Sequence, residues 1–128
     1  MDHTPGFLAL ATDAKTRIKE IDIEAYRKMQ ASSAAPMLID VREESEYAAG
    51  HAKGAVHLSK GIIERDIERL VPDKATPMVL YCGGGFRSAL AADSLSKMGY
   101  TGALSLDGGW QAYEASGLPI EAAPGHNR

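Results

Sequence analysis

Short apolar runs alternating with helix-patterned segments predict an α/β fold, with a mostly parallel central sheet flanked by helices. Three observations carry this. Met37–Val41, Pro77–Tyr81 and Gly102–Leu106 are brief apolar stretches of the kind that become buried parallel strands. Helical spacing or a helix cap follows after a turn, as at Ser88–Met98. The chain has 128 residues, 45% of them hydrophobic, which matches one compact domain rather than several or none.

Taken in order, Met1–Pro5 has no periodicity and is expected to fray. Phe7, Leu8, Ala11, Ala14 and Ile18 recur at near-helical spacing, which predicts a helix over residues 7–19. Asp22 can cap a second helix, Ile23–Ser32, with Tyr26 and Met29 facing inward. Ser33–Pro36 reads as a loop before the Met37–Val41 strand. Glu43–Ala49 reads as a short helix stopped by Gly50. Gly54–Leu58 follows as a brief strand, and Ile62–Leu70 as a helix ended by Val71-Pro72. Pro77–Tyr81 is the next strand and leads through Cys82-Gly83-Gly84-Gly85-Phe86-Arg87 into the helix Ser88–Met98, stopped at Gly99. Gly102–Leu106 is the last strand. Asp107-Gly108-Gly109 turns the chain into a closing helix, Trp110–Ser116.

Charge and composition narrow the function. Fourteen Lys and Arg against 17 Asp and Glu give −3 with His neutral, so no strong positive field exists to hold nucleic acid. No apolar run approaches the about 20 residues of a membrane span. Phe7–Ala11 is too short for a secretory leader and lacks a basic segment before it. The single cysteine, Cys82, cannot pair within the chain, and a reducing cytoplasmic setting is the expectation. His3, His57 and His126 show no metal-ligand spacing, and neither a metal nor an organic cofactor is expected.

The segment Met78–Met98 carries the chemistry. In parallel sheets ligands bind beyond the carboxyl ends of strands, where Cys82 falls. The glycines Gly83, Gly84 and Gly85 permit a tight curl that turns backbone N–H groups inward as an anion nest. The following helix adds its positive end, and Arg87 adds a permanent cation. Together they favour negative charge on the Cys82 sulfur, so Cys82 is expected to act as a thiolate nucleophile. Cysteine phosphatases and arsenate reductases place five residues between Cys and Arg. Here four intervene, Gly83 to Phe86, a smaller cradle that suits one extra sulfur atom.

At this point the sequence resembles the rhodanese (sulfurtransferase) family over residues 20–121. Leu38-Ile39-Asp40-Val41-Arg42 with Glu46-Tyr47 is similar to the family's early signature. Gly50-His51-Ala52-Lys53-Gly54-Ala55 resembles its Gly-His-Ile-x-Gly-Ala element, with Ala52 replacing Ile. Val79–Cys82 with the loop to Arg87, then Leu106–Trp110 and Gly117–Pro119, complete the pattern in order. The resemblance implies a rhodanese-like three-layer fold. It also implies a persulfide on Cys82, taken from thiosulfate, a polysulfide or a persulfide and passed to cyanide, a thiol or an acceptor protein. The Gly83–Arg87 loop would hold that persulfide, without a cofactor.

Supporting roles follow from the same resemblance. Asp40 is expected to hydrogen-bond the active loop, or else to cap its strand end. Arg42 is a candidate to line the pocket or to pair with Glu43 or Glu46. His51, Trp110 and Tyr81 are read as structural. Because Arg87 is the loop's only cation, a polysulfide or persulfide is expected to serve better than the thiosulfate dianion. Domain organisation is expected to be an N-terminal extension 1–19, the rhodanese domain 20–121 and a tail 122–128, in a monomer or homodimer. The alternative readings are a rhodanese-fold binding or sensory module and a cysteine phosphatase or arsenate reductase; neither nucleic acid nor membrane is an expected partner.

Overall fold

A computed structural model describes residues 3–123. The elements are α1 (Pro5–Lys15), β1 (Lys19–Ile21), α2 (Ile23–Ala31), β2 (Met37–Asp40), α3 (Glu44–Ala49), β3 (His51–Ala52) and β4 (Val56–His57). A 3₁₀ turn at Lys60–Ile62 leads into α4 (Ile63–Leu70), followed by β5 (Met78–Tyr81), α5 (Phe86–Lys97), β6 (Ala103–Leu106), α6 (Gly109–Ala115) and β7 (Ile120–Glu121). The main sheet has the order β1–β6–β5–β2–β4 with every pairing parallel. A small antiparallel ribbon, β3–β7, sits apart from it.

The strand period of two divides the core into two layers. Ile39, Met78, Leu80 and Cys82 face Ile63, Ile67, Ala91, Ala92 and Leu95, so α4 and α5 cover one side. Leu38, Val79, Tyr81 and Leu106 face Tyr26, Ala52 and Tyr113, so α2, α6 and the ribbon cover the other. All four β5 residues are buried, as an apolar central strand requires. Register sets Asp40 beside Tyr81, and Leu80 beside Ser105.

The three apolar runs form strands where expected, and Asp22 caps α2 by accepting from the Ala25 N–H at 2.8 Å, an interaction worth about 1 kcal/mol. The N-terminal region differs. The helix is Pro5–Lys15, not 7–19, because Pro5 occupies its first turn and Thr4 its N-cap. Lys19–Ile21 forms an edge strand against β6. Of the segment expected to fray, Met1 and Asp2 lie outside the described residues, whereas His3 packs against Phe7 and Phe86. Of the expected tail, Ala123 donates its N–H to Ala48, and residues 124–128, with His126, lie outside the described residues.

Small residues let α1 lie close on α5: Ala11 and Ala14 are buried there. At the end of α1, the Arg17 guanidinium clasps the Asp93 carboxylate with two hydrogen bonds of 3.0 and 2.9 Å and also reaches Asp13. No helix among the described residues is long and apolar enough to cross a membrane.

Candidate active site at the end of the central strand

Cys82 follows the last residue of β5, and its side chain is buried at 1% exposure. The chain then bends through Gly83–Gly85 and enters α5 at Phe86. Gly85 has φ +107°, a conformation glycine adopts without strain, and it is the N-cap of α5. This bend points two backbone donors at the sulfur. The Gly85 N–H donates to Cys82 Sγ at 3.1 Å and the Ser88 N–H at 3.3 Å. The Ser88 hydroxyl lies 3.5 Å from Sγ and 2.8 Å from the Ser105 hydroxyl, with both serines fully buried.

The first turn of α6 holds the loop through two backbone hydrogen bonds. Trp110 donates its N–H to the Cys82 carbonyl at 2.6 Å, and Gln111 donates to the Gly83 carbonyl at 3.2 Å. This requires the start of α6 to press against the loop. A Cβ at Gly109 would collide with the Cys82 carbonyl oxygen, and Gly109 also has φ +48°. The Asp107-Gly108-Gly109 turn therefore shapes the loop from 25 residues away in sequence.

Arg87 does not extend freely over the sulfur. Its guanidinium binds the Glu46 carboxylate through Nη1 at 2.8 Å and Nη2 at 3.1 Å. These hydrogen bonds, ahead of the opposing effect of burial, hold the Glu46 carboxyl below the usual carboxylate range and keep Arg87 firmly protonated. Glu46 also accepts from the Glu43 N–H as part of the α3 capping box. The cation of the loop is thus neutralised by a partner on another helix.

A cavity of about 390 Å³ opens above Cys82, lined by Gly83, Gly84, Phe86, Arg87 and Gln111, together with His3 and Phe7 from the N-terminal segment. Phe86 meets His3 edge-on at 4.6 Å between ring centroids, and Phe7 stands 6.3 Å from Phe86.

A family model described as the rhodanese-like domain matches residues 22–116. The chain belongs to the rhodanese-like family. The thiosulfate sulfurtransferase GlpE of Vibrio cholerae is 33% identical over 103 residues, 80% of this chain and 94% of that protein. Among solved structures, a Rhodopseudomonas palustris protein described as of unknown function, possible tyrosine phosphatase, superposes with TM-score 0.79 at 28% identity, covering 94% of this chain and 98% of that one. The polysulfide-sulfur transferase homodimer of Wolinella succinogenes gives TM-score 0.76 at 27% identity, covering 96% and 92%.

In this rhodanese-like domain the supporting residues fall into a separate cluster. Asp40 does not bond the Cys82 loop: it shares a sheet face with Tyr81, and strand alternation puts Cys82 on the opposite face. Its carboxylate accepts from the Tyr81 hydroxyl at 2.7 Å, from the Arg42 N–H at 2.9 Å and from the Arg42 guanidinium at 2.8 Å. Arg42 therefore pairs with Asp40 rather than with Glu43 or Glu46. It also donates to the Gly50 carbonyl at 2.6 Å and stacks on Trp110 at 4.6 Å. Burial opposes its charge, but the Asp40 bonds outweigh that and raise its pKa. Arg42 lines a groove with Trp110 and Ile120, not the Cys82 cavity. Burial, reinforced by Asp40, pushes the Tyr81 hydroxyl far above its ordinary value, so it stays protonated and donates. The buried His51 bonds the Tyr47 carbonyl and Glu121.

Sequence reasoning did not find Ser88, Ser105, Glu46, Gln111, His3 or Phe7 as neighbours of the site. Only Ser88 carried a local signal, since it stands directly after Arg87 at the start of a helix whose N–H groups are free.

Proposed function

We propose that the protein is a sulfurtransferase in which Cys82 Sγ is the nucleophile. The supporting observation is the pair of N–H donors, Gly85 and Ser88, aimed at a buried sulfur at the carboxyl end of the central strand. The Cys82 thiolate attacks the outer sulfur of a donor; the donor's S–S bond breaks and its electron pair leaves with the departing group. With thiosulfate the products are the Cys82 persulfide anion and sulfite. With an organic persulfide, R–S–SH, the products are the persulfide anion and R–SH. The loop N–H groups stabilise the charged sulfur without reorganising. Attack by cyanide, a thiol or an acceptor protein's thiol on the outer sulfur then restores Cys82. The exchange uses thiol chemistry alone, without a metal or organic cofactor, and a working free thiol fits the reducing cytoplasm.

The preferred donor is a polysulfide or persulfide. The Glu46 carboxylate cancels the Arg87 charge at the site, which weakens attraction for a dianion. The Vibrio cholerae relative bears thiosulfate in its name and the Wolinella succinogenes neighbour bears polysulfide. Steady-state assays of thiocyanate formation from cyanide test the reading. The expected result is turnover with both donors and a higher kcat/KM for polysulfide. A clear advantage for thiosulfate overturns the donor assignment. No turnover with either supports a binding module, and Cys82-dependent hydrolysis of an aryl phosphate supports a phosphatase.

A further inference from the structure

Sulfur exchange at Cys82 makes no use of the wall that α1 builds across the cavity. That wall has three rings: His3 and Phe7 are 5.2 Å apart, His3 and Phe86 4.6 Å, and Phe7 and Phe86 6.3 Å. Phe86 comes from the loop itself, whereas His3 and Phe7 precede the family-matched region that begins at residue 22. Phe7 is held in place because α1 is seated on α5 by Ala11 and Ala14 and anchored by the Arg17–Asp93 clasp, and His3, which precedes the helix, packs on Phe7 and Phe86. Lys15 lies over Phe86 at 4.5 Å and has its own carboxylate partner, Glu20, at 3.5 Å.

Resting on the sulfurtransferase reading, we propose that His3, Phe7 and Phe86 form a recognition wall that selects organic sulfane donors. The substrates are monoanions of the form R–S–S⁻ or R–SO₂–S⁻ whose R group is aromatic or otherwise apolar. Size, surface and charge agree on this class. A cavity of about 390 Å³ exceeds what an inorganic anion fills, and falls in the roughly 300–1,000 Å³ range of sites for small organic ligands. Aromatic faces and edges offer R groups apolar burial and ring–ring contact, and offer a small hydrated dianion nothing. With Arg87 bound by Glu46 and Lys15 by Glu20, the charge near the mouth suits a single negative charge carried on the reacting sulfur. The sulfur end then reaches Cys82 beside Gly83 and Gly84, while R lies on the rings. For a thiosulfonate, Cys82–S⁻ and R–SO₂–S⁻ give Cys82–S–S⁻ and the sulfinate R–SO₂⁻; one S–S bond forms as one breaks.

Benzenethiosulfonate and methanethiosulfonate separate the wall from the chemistry, since they share charge and reacting group and differ in R. Each kcat/KM with cyanide as acceptor is divided by that donor's rate with free cysteine. The wild-type protein is expected to prefer the benzene donor by about tenfold, the scale of partly burying one aromatic ring. Phe7→Ala and His3→Ala are each expected to lower that ratio several-fold. His3 is exposed and precedes α1, so its variant keeps the test sound even if Phe7→Ala loosens the helix. A wild-type ratio near one, or a tenfold ratio kept in both variants, overturns the wall. Absence of transfer from both thiosulfonates alongside turnover with polysulfide overturns the wall alone. Absence of transfer from polysulfide and thiosulfate as well contradicts the sulfurtransferase reading itself, and the wall falls with it.

Discussion

Two neighbouring strands end at the middle of the sheet, and their ends are built in opposite ways. The end of β5 turns through glycines and leaves Cys82 Sγ held by N–H groups beneath an open cavity. The end of β2 leads into a closed cluster in which Asp40, Arg42 and Tyr81 satisfy one another. Both lie where ligands of parallel sheets bind, and both hold buried polar groups. Cys82 borders the cavity at its loop, whereas Arg42 borders the groove beside Trp110 with its donors already taken by Asp40 and Gly50. Position at a strand's carboxyl end is therefore insufficient for chemistry; what distinguishes the site is a thiol that accepts from two backbone N–H groups at the edge of a cavity, the arrangement on which the proposed function rests. The alternation of the strands enforces the separation, with Cys82 and Tyr81 adjacent in sequence on opposite faces.

The largest effect that sharpens this contrast falls on stability. Asp40→Ala leaves the Arg42 charge buried without its partner and is expected to cost about 3 kcal/mol, read by denaturant unfolding, while the folded variant still takes sulfur onto Cys82. Loss of sulfur loading at unchanged stability would mean that the two clusters are coupled. Ser88→Ala acts on the other side of the comparison. It removes the hydroxyl beside Sγ but keeps both backbone donors, and is expected to slow transfer by about tenfold, the worth of one hydrogen bond to a charged group. Unchanged kinetics would assign Ser88 Oγ to Ser105 alone.

Glu46→Gln keeps a capping side chain on α3 and frees the Arg87 charge. The KM for thiosulfate is expected to fall by about threefold, as one weak partly exposed pair permits, with little change for a monoanionic polysulfide. Equal shifts for both donors would contradict the charge argument. The smallest effect is on acid stability. Glu46 and Asp93 are both held below their ordinary pKa, chiefly by hydrogen bonds from Arg87 and Arg17. Their contributions are present above the unfolded carboxylate values and disappear as pH falls through the lower folded values. Thermal unfolding of Arg17→Ala and wild type should therefore converge at acid pH and differ near neutrality.

The sheet was legible where burial leaves a local mark. Leu38–Ile39 and Met78–Tyr81 are apolar because water is excluded from both faces. β1 was illegible, since Lys19 and Glu20 are exposed and charged on an edge, leaving no apolar run to read. The two-residue strands of the β3–β7 ribbon are too short to show a period. The active loop was legible because glycines, cysteine and the helix start are contiguous. Its environment was not, because Glu46 meets Arg87 across 41 residues and Phe7 meets Phe86 through the docking of a whole helix. Asp40 takes the second of its two expected roles, accepting from the Arg42 N–H at its strand end rather than bonding the loop, for a similar reason: a motif gives its residue type, and only register gives the face on which it lies.

The central claim, that Cys82 carries transferable sulfur, is tested most directly by intact-protein mass spectrometry after separate incubation with thiosulfate and with polysulfide, beside a Cys82→Ser control. The account predicts the addition of one sulfur to the wild-type protein, more fully with polysulfide, reversed by cyanide and absent from Cys82→Ser. A wild-type protein that gains no sulfur from either donor, or a Cys82→Ser protein that gains as much, would contradict it.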